Sequence, residues 1–392
     1  MRAVVLAGGT GGRMEPLTGP RPKTWLKMLG KRLVEYALEG LVEAGVRNIV
    51  VVVDGDYSEM ASDLTSRYRE LVDLRIVEQK APGIEGALLS ARRYVAGSGP
   101  VALAYGDIVA PPGFYTGSIA AYNASSSEAL MALTPVASGL QTYGVVMVED
   151  RRITSIHEKP TERVESTYAY GGLMVVPPAF FDMVEDQGSV ASAMRTLIQK
   201  MDVDAYIWSG PWYDIDEPWD LLRAAVGMLD TLAETRISSS AKIPETVTLE
   251  GPVIVEDEAM IDHGAVIKGP AYIGRKAFVG MNAFIRPYTT LENGAIVGSH
   301  TEVKRSVLQP RAYVASFCYI TDTVVGEEAS VSPYVLTLNV VPLVKAPPRF
   351  EDLVLGASKR VKLGSIIGSR SKVPPRTVLQ PGTVVGYGET LS

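Results

Sequence analysis

Residues 1–25 read MRAVVLAGGTGGRMEPLTGPRPKTW, a short apolar run followed by glycines, one arginine, a proline cluster and a lysine. Gly8, Gly9, Gly11 and Gly12 lack the Cβ atoms that would keep a ligand away from the backbone, so consecutive N–H groups can turn toward an anion. The stretch therefore predicts a buried strand that leads directly into a phosphate-binding loop.

The composition indicates a globular protein that acts on small molecules. With 392 residues, of which 46% are hydrophobic and 21% charged, the chain is too long for one ordinary core, and two domains are expected. A single cysteine, Cys318, rules out an internal disulfide, and the first strand follows no signal-peptide pattern, which favours the cytoplasm. No apolar run approaches the roughly 20 residues of a membrane span. The net charge of −6 argues against nucleic acid or an anionic membrane as a partner.

The first half of the chain alternates strands and helices. Residues 2–7, 48–53 and 100–105 are short Val-rich runs typical of buried parallel strands, with helical spacing over 33–44 and 86–95 between them. Such a Rossmann-like α/β sheet binds ligands beyond the carboxyl ends of its strands. The glycine loop and Asp107 follow the first and third of these strands, and both are candidates for a binding site.

The second half has a period of six. An aliphatic residue recurs at Val255, Ile261, Ile267, Ile273, Val279, Ile285, Leu291, Val297 and Val303, and again at Ile367, Val373, Leu379 and Val385. This period predicts a parallel β-helix with triangular coils, in which each hexapeptide points one aliphatic side chain inward. We expect an α/β domain over 1–235 and a β-helix over 246–392, with an insertion near 333–363 and a polar junction between the domains.

Two common phosphate-loop patterns do not fit the opening stretch. A dinucleotide fingerprint started at Gly9 would place Met14 at its third glycine, and no acidic residue ends a second strand about 20 residues later. A P-loop started at Gly8 would place Arg13 at its last glycine and lacks the following Lys-Ser/Thr pair.

A third pattern fits. Residues 6–18 match L-A-G-G-x-G-x-R-[LM]-x-P-L-T and Pro22-Lys23 follows, with Gly12 where Thr or Ser is usual. Further segments follow in order: EQKAPGIEGAL (78–88), YGD (105–107), YGVV (143–146), EKP (158–160), GGL (171–173) and WYDIDEPWDLLRA (212–224). The ordered set resembles the sugar-1-phosphate nucleotidylyltransferase family. It is closest to archaeal N-acetylglucosamine-1-phosphate uridylyltransferase/glucosamine-1-phosphate acetyltransferase-like proteins, which carry a C-terminal left-handed β-helix.

The resemblance implies a role for each matching residue. It implies catalytic Arg13 and Lys23; nucleotide-binding Leu6, Gly8, Gly9, Gly11, Gln79 and Gly83; sugar-phosphate-binding Gly144, Glu158, Lys159 and Gly172; and a Mg²⁺ ion held by Asp107 and Asp214. Two carboxylates about 4 Å apart repel by roughly 4 kcal/mol at an effective dielectric of about 20, so a close pair implies a cation or a shared proton.

The resemblance further implies transfer of a nucleotidyl group, with UTP or dTTP preferred, to a hexose- or N-acetylhexosamine-1-phosphate with release of pyrophosphate. It also implies a homotrimer formed through the β-helix. Besides Gly12, three positions of the transferase part depart from the family: Asp216 and Glu217 replace the usual Gly-Thr, and Tyr170 stands where relatives commonly place Asn against the sugar. These departures bear on the sugar and phosphate pockets.

A second activity, acetyl transfer from acetyl-CoA to an amino sugar phosphate, is expected to be absent or weak. Ser316 stands where the family has a histidine base, and Pro333-Tyr334 replace glycines, although Tyr319, Asn339 and Lys345 match. Three alternatives stay open: a bifunctional enzyme with a different base, a β-helix acyltransferase with a degenerate N-terminal domain, and a non-catalytic subunit that binds nucleotide sugar. The intact Arg13, Lys23 and Asp107 argue against the last two.

Overall fold

A computed structural model describes residues 1–9, 11–55, 57–95, 97, 99–136, 142–161, 164, 166–342 and 360–392. Its helices are α1 (Glu15–Thr18), α2 (Leu33–Glu43), α3 (Ser58–Tyr68), α4 (Gly83–Val95), α5 (Pro112–Ala124), α6 (Ala179–Gln187), α7 (Val190–Lys200) and α8 (Pro218–Leu229). Short 3₁₀ turns span Gly12–Met14 and Lys23–Trp25. None of the helices in the described part of the chain is long and apolar enough to cross a membrane.

The strands of the first part of the chain are β1 (Arg2–Leu6), β2 (Lys27–Met28), β3 (Lys31–Arg32), β4 (Asn48–Val53), β5 (Asp73–Glu78), β6 (Val101–Tyr105), β7 (Ile108–Val109), β8 (Ala129–Pro135), β9 (Gly144–Glu149), β10 (Arg152–Glu158), β11 (Tyr168–Val176), β12 (Val203–Ile207) and β13 (Tyr213–Asp214).

Short strands follow in close succession after α8. They are β14 (Arg236–Ile237), β15 (Thr248–Glu250), β16 (Val253–Val255), β17 (Met260–Ile261), β18 (Val266–Lys268), β19 (Ala271–Ile273), β20 (Phe278–Val279), β21 (Phe284–Ile285), β22 (Thr289–Leu291), β23 (Ile296–Val297), β24 (Glu302–Lys304), β25 (Val307–Leu308), β26 (Tyr313–Val314), β27 (Tyr319–Thr321), β28 (Val324–Val325), β29 (Ser330–Val331), β30 (Leu336–Thr337), β31 (Val340–Pro342), β32 (Arg360–Lys362), β33 (Ile366–Ile367), β34 (Lys372–Val373), β35 (Val378–Leu379) and β36 (Val384–Val385).

The chain divides into two compact units. The sheet unit comprises residues 1–10, 20–25 and 33–214, and the helix unit comprises residues 11–19, 26–32 and 215–392. The polypeptide therefore passes between the units several times within its first 33 residues. The opening signature is divided between them, because Gly8, Gly9 and Lys23 belong to the sheet unit and Arg13 to the helix unit.

The sheet unit is built on a nine-stranded mixed sheet with the order β5-β4-β1-β6-β11-β8-β12-β10-β9. Strands β5, β4, β1 and β6 are parallel, so their carboxyl ends lie at one edge. The runs predicted as strands at 2–7, 48–53 and 100–105 form β1, β4 and β6, and the predicted helices form α2 and α4. Two apolar clusters, one on each face, enclose the sheet.

From β14 onward, the helix unit forms a left-handed parallel β-helix, as predicted. Its strands form three parallel sheets: β14-β16-β19-β22-β25-β28-β33-β36, β15-β18-β21-β24-β27-β30-β35 and β17-β20-β23-β26-β29-β34. The predicted aliphatic residues at intervals of six are all buried, and those from Val255 to Leu379 belong to one continuous core. Each buried aliphatic side chain contributes roughly 1.5–3 kcal/mol, so stability accumulates coil by coil.

Coil length changes along the β-helix, and this explains why the six-residue period stops after Val303. Early coils pair residues 18 apart, such as Val279 with Val297. Later coils pair residues 17 apart, such as Val303 with Ile320. The core nevertheless continues through Leu308, Val314 and the residues that follow, because only one corner position is lost per coil. Strands β31 and β32 then pair antiparallel on either side of the undescribed residues 343–359.

Candidate active site

A cavity of about 320 Å³ lies in the sheet unit at the carboxyl ends of β1, β4, β5 and β6. It is lined by Leu6, Gly8, Gly9, Asp54, Gln79, Pro82, Gly83, Ile84, Ala87, Tyr105 and Asp107. Five of the six residues predicted to bind nucleotide line it, together with one of the two predicted metal ligands. The position agrees with the general rule that open α/β sheets bind ligands at this edge.

The glycine loop allows the backbone to approach the cavity wall closely. A Cβ atom at Gly8 would lie 2.8 Å from Gln79 Oε1 and 3.2 Å from Asp54 Cβ, so no larger residue fits without displacing them. Gly83 has a φ of +88°, which favours glycine, and its carbonyl accepts a hydrogen bond from Gln79 Nε2 at 3.3 Å. The Gln79 amide and the Gly83 backbone thus present one polar wall.

Lys23 reaches the same region from the 3₁₀ turn Lys23–Trp25. Its backbone N–H donates to the carbonyl of Gly9 at 3.2 Å, and the Thr24 hydroxyl donates to the carbonyl of Ala7 at 2.9 Å. The Lys23 side chain is 9% exposed, and its Nζ lies 2.7 Å from Asp107 Oδ2. A buried ammonium group is therefore held beside the predicted metal ligand.

Asp107 and Asp214 are brought together by the pairing of β7 with β13, in which Asp214 lies opposite Ile108. A carboxylate oxygen of Asp107 lies within 4.8 Å of one from Asp214. Hard oxygen donors in such a pair suit a divalent cation like Mg²⁺. Burial, followed by the charges of Glu158, Asp107 and Asp214, raises the pKa of Tyr105. The same negative potential favours a bound cation.

The segments predicted to bind the sugar phosphate also meet in the sheet unit. Glu158 lies opposite Gly144 in the β9–β10 pair, and a Cβ atom at Gly144 would lie 3.0 Å from Glu158 Oε2. Gly172 has a φ of +78°, and a Cβ there would meet Ile108 at 2.8 Å. Gly172 thus keeps β11 close to the strand end that carries Asp107, and Gly144 leaves room for the Glu158 carboxylate.

Lys159 and Tyr170 differ in burial. Lys159 is exposed, adopts a φ of +42° and donates its backbone N–H to the carbonyl of Tyr143 at 3.0 Å. The Tyr170 hydroxyl is buried and has no hydrogen-bond partner among the described residues. The Tyr170 ring packs edge-on against Tyr105 with 5.7 Å between centroids. Burial and the charge of Glu158 contribute to raising the pKa of Tyr170.

Arg13, in the helix unit, is paired with the two residues that depart from the family pattern. Its Nη2 lies 3.0 Å from Asp216 Oδ2 and its Nη1 lies 3.2 Å from Glu217 Oε1. Glu217 is the N-cap of α8 and shares a capping box with Asp220, whose carboxylate accepts the N–H groups of Asp216 and Glu217. The two acids are therefore fixed in place by the helix start. Gly11, also in the helix unit, precedes Arg13 with a φ of +55°.

The segment expected to carry an acetyl-transfer site is part of the β-helix. Ser316 precedes Phe317, which stacks on His300 and on Tyr334 with ring centroids 5.1 and 5.2 Å apart. Tyr319 is 36% exposed, and Asn339 donates a hydrogen bond to the buried Asp322. Lys345, which also matches the family pattern, lies outside the described residues.

Comparison with known sequences decides the family. The sequence model described as "Nucleotidyl transferase" matches residues 2–231. The chain belongs to this nucleotidyl transferase family. The predicted resemblance and the predicted enzyme class are thereby confirmed. Enzymes of this family generally use a divalent metal ion, which agrees with the donor set around Asp107.

Curated relatives of this nucleotidyltransferase extend over nearly the whole chain. The "Bifunctional protein GlmU" of Methanocaldococcus jannaschii is 31% identical, over 98% of this chain and 92% of that protein. A "Bifunctional sugar-1-phosphate nucleotidylyltransferase/acetyltransferase" of Sulfurisphaera tokodaii is 28% identical, over 98% and 94%. The "Low-salt glycan biosynthesis nucleotidyltransferase Agl11" of Haloferax volcanii is 30% identical, over 93% and 100%.

Solved structures support the fold of the nucleotidyltransferase part. A UDP-glucose pyrophosphorylase complexed with UDP-glucose aligns with a TM-score of 0.51 and 22% identity, over 57% of this chain and 96% of that one. At this identity the similarity concerns the fold alone, and it confirms the predicted Rossmann-like class.

Sequence reasoning missed Asp54 and Tyr105 as lining residues of the cavity. Asp54 follows β4 in the same way that Asp107 closely follows β6, so the rule of the strand ends could have found it. Tyr105 is the last residue of its strand and the first of the YGD segment, so the family resemblance could have indicated it. The ion pairs of Arg13 were also missed, because Asp216 and Glu217 lie about 200 positions further along the chain.

We expect the Asp216→Gly, Glu217→Thr double variant to bind nucleoside triphosphate more tightly. Arg13 would no longer be neutralised by two carboxylates, and threonine preserves the N-cap of α8. Exposed ion pairs contribute about 0.2–1 kcal/mol each, so loss of both should lower the KM for the triphosphate by about twofold to thirtyfold. Glu250→Thr, which removes the 2.9 Å pair with Lys268 on the β-helix, serves as control. An unchanged or higher KM in the double variant would show that the two acids do not compete with phosphate.

Proposed function

We propose that this protein is a sugar-1-phosphate nucleotidylyltransferase. It transfers a nucleotidyl group, preferentially from UTP or dTTP, to a hexose- or N-acetylhexosamine-1-phosphate and releases pyrophosphate. The observation that supports this most strongly is the cavity at the strand ends, where Gly8, Gln79 and Gly83 lie in the same pocket as Asp107. The printed names of the archaeal relatives point to the same chemistry.

The reaction brings two anionic substrates within bonding distance. An oxygen of the sugar-1-phosphate attacks the α-phosphorus, the bond from that phosphorus to the oxygen bridging toward the β-phosphorus breaks, and pyrophosphate leaves with the bonding electrons. Lys23, already desolvated beside Asp107, can stabilise negative charge at the α-phosphate. The N–H groups of the glycine loop can donate to the remaining phosphate oxygens. The family signature assigns Arg13 to the β- and γ-phosphates and Lys159 to the sugar phosphate.

Asp107 and Asp214 are proposed to hold one Mg²⁺ ion. Their carboxylates are close enough that a cation would relieve their mutual repulsion, and both supply hard oxygen ligands. When bound there, the ion would neutralise phosphate charge and orient the substrates. Lys23 supplies one positive charge next to Asp107. The site would therefore carry two cations, the fixed ammonium group of Lys23 and the exchangeable Mg²⁺ ion.

The base preference rests on Gln79 and Gly83. The Gln79 side-chain amide and the Gly83 backbone offer donor and acceptor groups side by side. These groups disfavour a base whose donors and acceptors do not complement them, because such a base leaves buried polar groups without hydrogen bonds. The Tyr170 hydroxyl, buried near Glu158 without a partner among the described residues, is a candidate donor to the sugar if substrate binding opens its surroundings.

The domain assignment and cellular location are part of the same proposal. We assign the transferase domain to 1–235 and the β-helix domain to 246–392, with an insertion near 333–363. The single cysteine, with its pKa raised mainly by burial, suits a cytoplasmic protein.

A substrate panel tests the proposed activity. Purified protein is incubated with UTP, dTTP, GTP or ATP and a series of sugar-1-phosphates, and pyrophosphate is followed with and without Mg²⁺. We expect release with UTP or dTTP that requires the cation. Asp107→Asn should lower turnover by at least about a hundredfold, because it removes a metal ligand and the partner of Lys23.

Asp73→Asn is the matched control, since this exposed carboxylate lies at the start of β5, away from the cavity. It should keep normal turnover. Turnover restricted to purine triphosphates would contradict the base assignment, and near-normal release by Asp107→Asn would contradict the metal assignment.

The homotrimer is proposed to form around the corner of the β-helix where β26 leads into β27 and β29 leads into β30. Large apolar side chains at this corner are unusually exposed: Tyr313 (42%), Phe317 (48%), Tyr319 (36%), Tyr334 (51%) and Leu336 (39%). Such an exposed apolar band is typical of a surface that is covered in an oligomer. The stacked rings of Phe317 and Tyr334 make the band rigid.

We expect a solution mass about three times 42.1 kDa by sedimentation. A Phe317→Glu, Tyr334→Glu variant should sediment as the monomer, because it places two charges in the covered band. Val384→Glu, at an equally exposed valine on another sheet, should not change the mass. A monomeric wild-type protein would refute the assembly.

Acetyl transfer from acetyl-CoA to glucosamine-1-phosphate is expected to be at least about a hundredfold slower than in a bifunctional relative. Serine cannot act as a general base near neutral pH, and loss of such a base costs about 10²- to 10⁴-fold. Tyr334 and Phe317 also occupy the corner beside Ser316 with bulky rings. Release of coenzyme A thiol measures the rate, with the Sulfurisphaera tokodaii relative as positive control. Thiol release at a rate comparable to pyrophosphate release would show that the second site is active.

A further inference from the structure

Two short segments near the N-terminus, 11–19 and 26–32, pack within the helix unit and not within the sheet unit. The first contains Gly11 and Arg13. In the sequence, the two segments flank residues 20–25, which contain Lys23. The contacts that hold these segments on the β-helix therefore fix the backbone on both sides of Lys23.

Glu292 holds the turn of the hairpin formed by β2 and β3. It is fully buried, its Oε1 accepts the N–H of Leu29 at 2.7 Å, and its Oε2 accepts the N–H of Gly30 at 2.9 Å. Leu29 and Gly30 have φ values of +51° and +81°. A left-handed conformation costs a residue such as leucine about 1–2 kcal/mol. A carboxylate between two adjacent N–H groups offsets this cost.

Burial raises the pKa of Glu292 to about 7, while the N–H of Gly30, the charge of Lys27 and the N–H of Leu29 oppose the rise. The β-helix itself does not need an acid here. The same corner position holds Gly274 one coil before Glu292 and Gly326 two coils after it. The carboxylate is therefore explained by the hairpin that it binds.

Gln309 occupies the same corner position one coil further on, after β25. It is 1% exposed, its Nε2 donates to the carbonyl of Lys27 at 2.7 Å, and its Oε1 accepts the N–H of Lys27 at 3.1 Å. Both hydrogen bonds go to the backbone of Lys27, so the side chain at position 309 must supply one donor and one acceptor. Two successive coils thus hold one hairpin by its backbone.

Ser369 holds the other segment. Its N–H donates to the carbonyl of Pro16 at 2.7 Å, and its buried hydroxyl donates to the carbonyl of Leu17 at 2.5 Å. Gly19 ends this segment with a φ of +55°, and a Cβ there would lie 2.4 Å from the ring of Tyr387. The segment that carries Arg13 is therefore fitted closely to the last coils.

We propose that Glu292, Gln309 and Ser369 are positioning residues for nucleotidyl transfer. They act through the backbone of the segments that carry Arg13 and border Lys23, and the β-helix is thereby a working part of the transferase as well as a platform for assembly. This inference rests on the proposed function.

Two isosteric exchanges in the full-length protein test it. Glu292→Gln turns an acceptor that faces an N–H into a donor, and Gln309→Glu turns the donor that faces the Lys27 carbonyl into an acceptor. We expect kcat for pyrophosphate release to fall by about tenfold to a hundredfold in each variant, because small displacements of reacting groups are costly. Amide hydrogen exchange over 11–32 should accelerate, with β-helix core amides unchanged.

Glu302→Gln is the matched control. This β-helix glutamate pairs with Arg286 at 2.7 Å on a different sheet, and its exchange should leave kcat unchanged. A purely structural role for Glu292 and Gln309 would lower the melting temperature but leave kcat of the folded protein intact, and this result would overturn the proposal. Absence of turnover in the wild-type protein with every substrate pair would instead overturn the proposed function, and the positioning role with it.

Discussion

A loop of glycines has few side chains with which to fix its own shape, and the contacts around this protein's glycine loop answer that constraint. Glycine loses more conformational freedom on folding than any other residue, so an ordered glycine loop must be held by its surroundings. Within the sheet unit, Lys23 and Thr24 supply such support by donating to the carbonyls of Gly9 and Ala7. Within the helix unit, buried polar side chains of the coils support the neighbouring segments.

The β-helix combines a uniform interior with variable corners. Its interior is a column of aliphatic side chains that is nearly the same in every coil and carries the stability. The corner after strands β16, β19, β22, β25 and β28 of one sheet reads Glu256, Gly274, Glu292, Gln309 and Gly326 along successive coils. Because the interior does not depend on these corner residues, they are free to take on specific contacts without disturbing the fold.

The architecture was predictable because its signals are local or periodic. Val-rich strands, the glycine loop and the six-residue period each lie within a few residues or repeat at a fixed interval, and the strand-end rule located Asp107. The later coils were harder to predict, since a corner shortened by one residue breaks the count while leaving residues such as Val314 and Ile320 inside. The contacts of Arg13 and Glu292 could not be predicted. Their partners lie more than 200 positions away, and nothing in the sequence identifies them.

The anchoring of two chain segments on different coils has an evolutionary consequence. Repeat proteins commonly gain or lose whole repeats, because each repeat contacts only its neighbours. Here the hairpin is bound at the coils of Glu292 and Gln309, and the segment before it at the coil of Ser369. Duplicating a coil between these anchors would shift one relative to the other by about 4.8 Å, the spacing of neighbouring strands. Coil number is therefore fixed between Glu292 and Ser369.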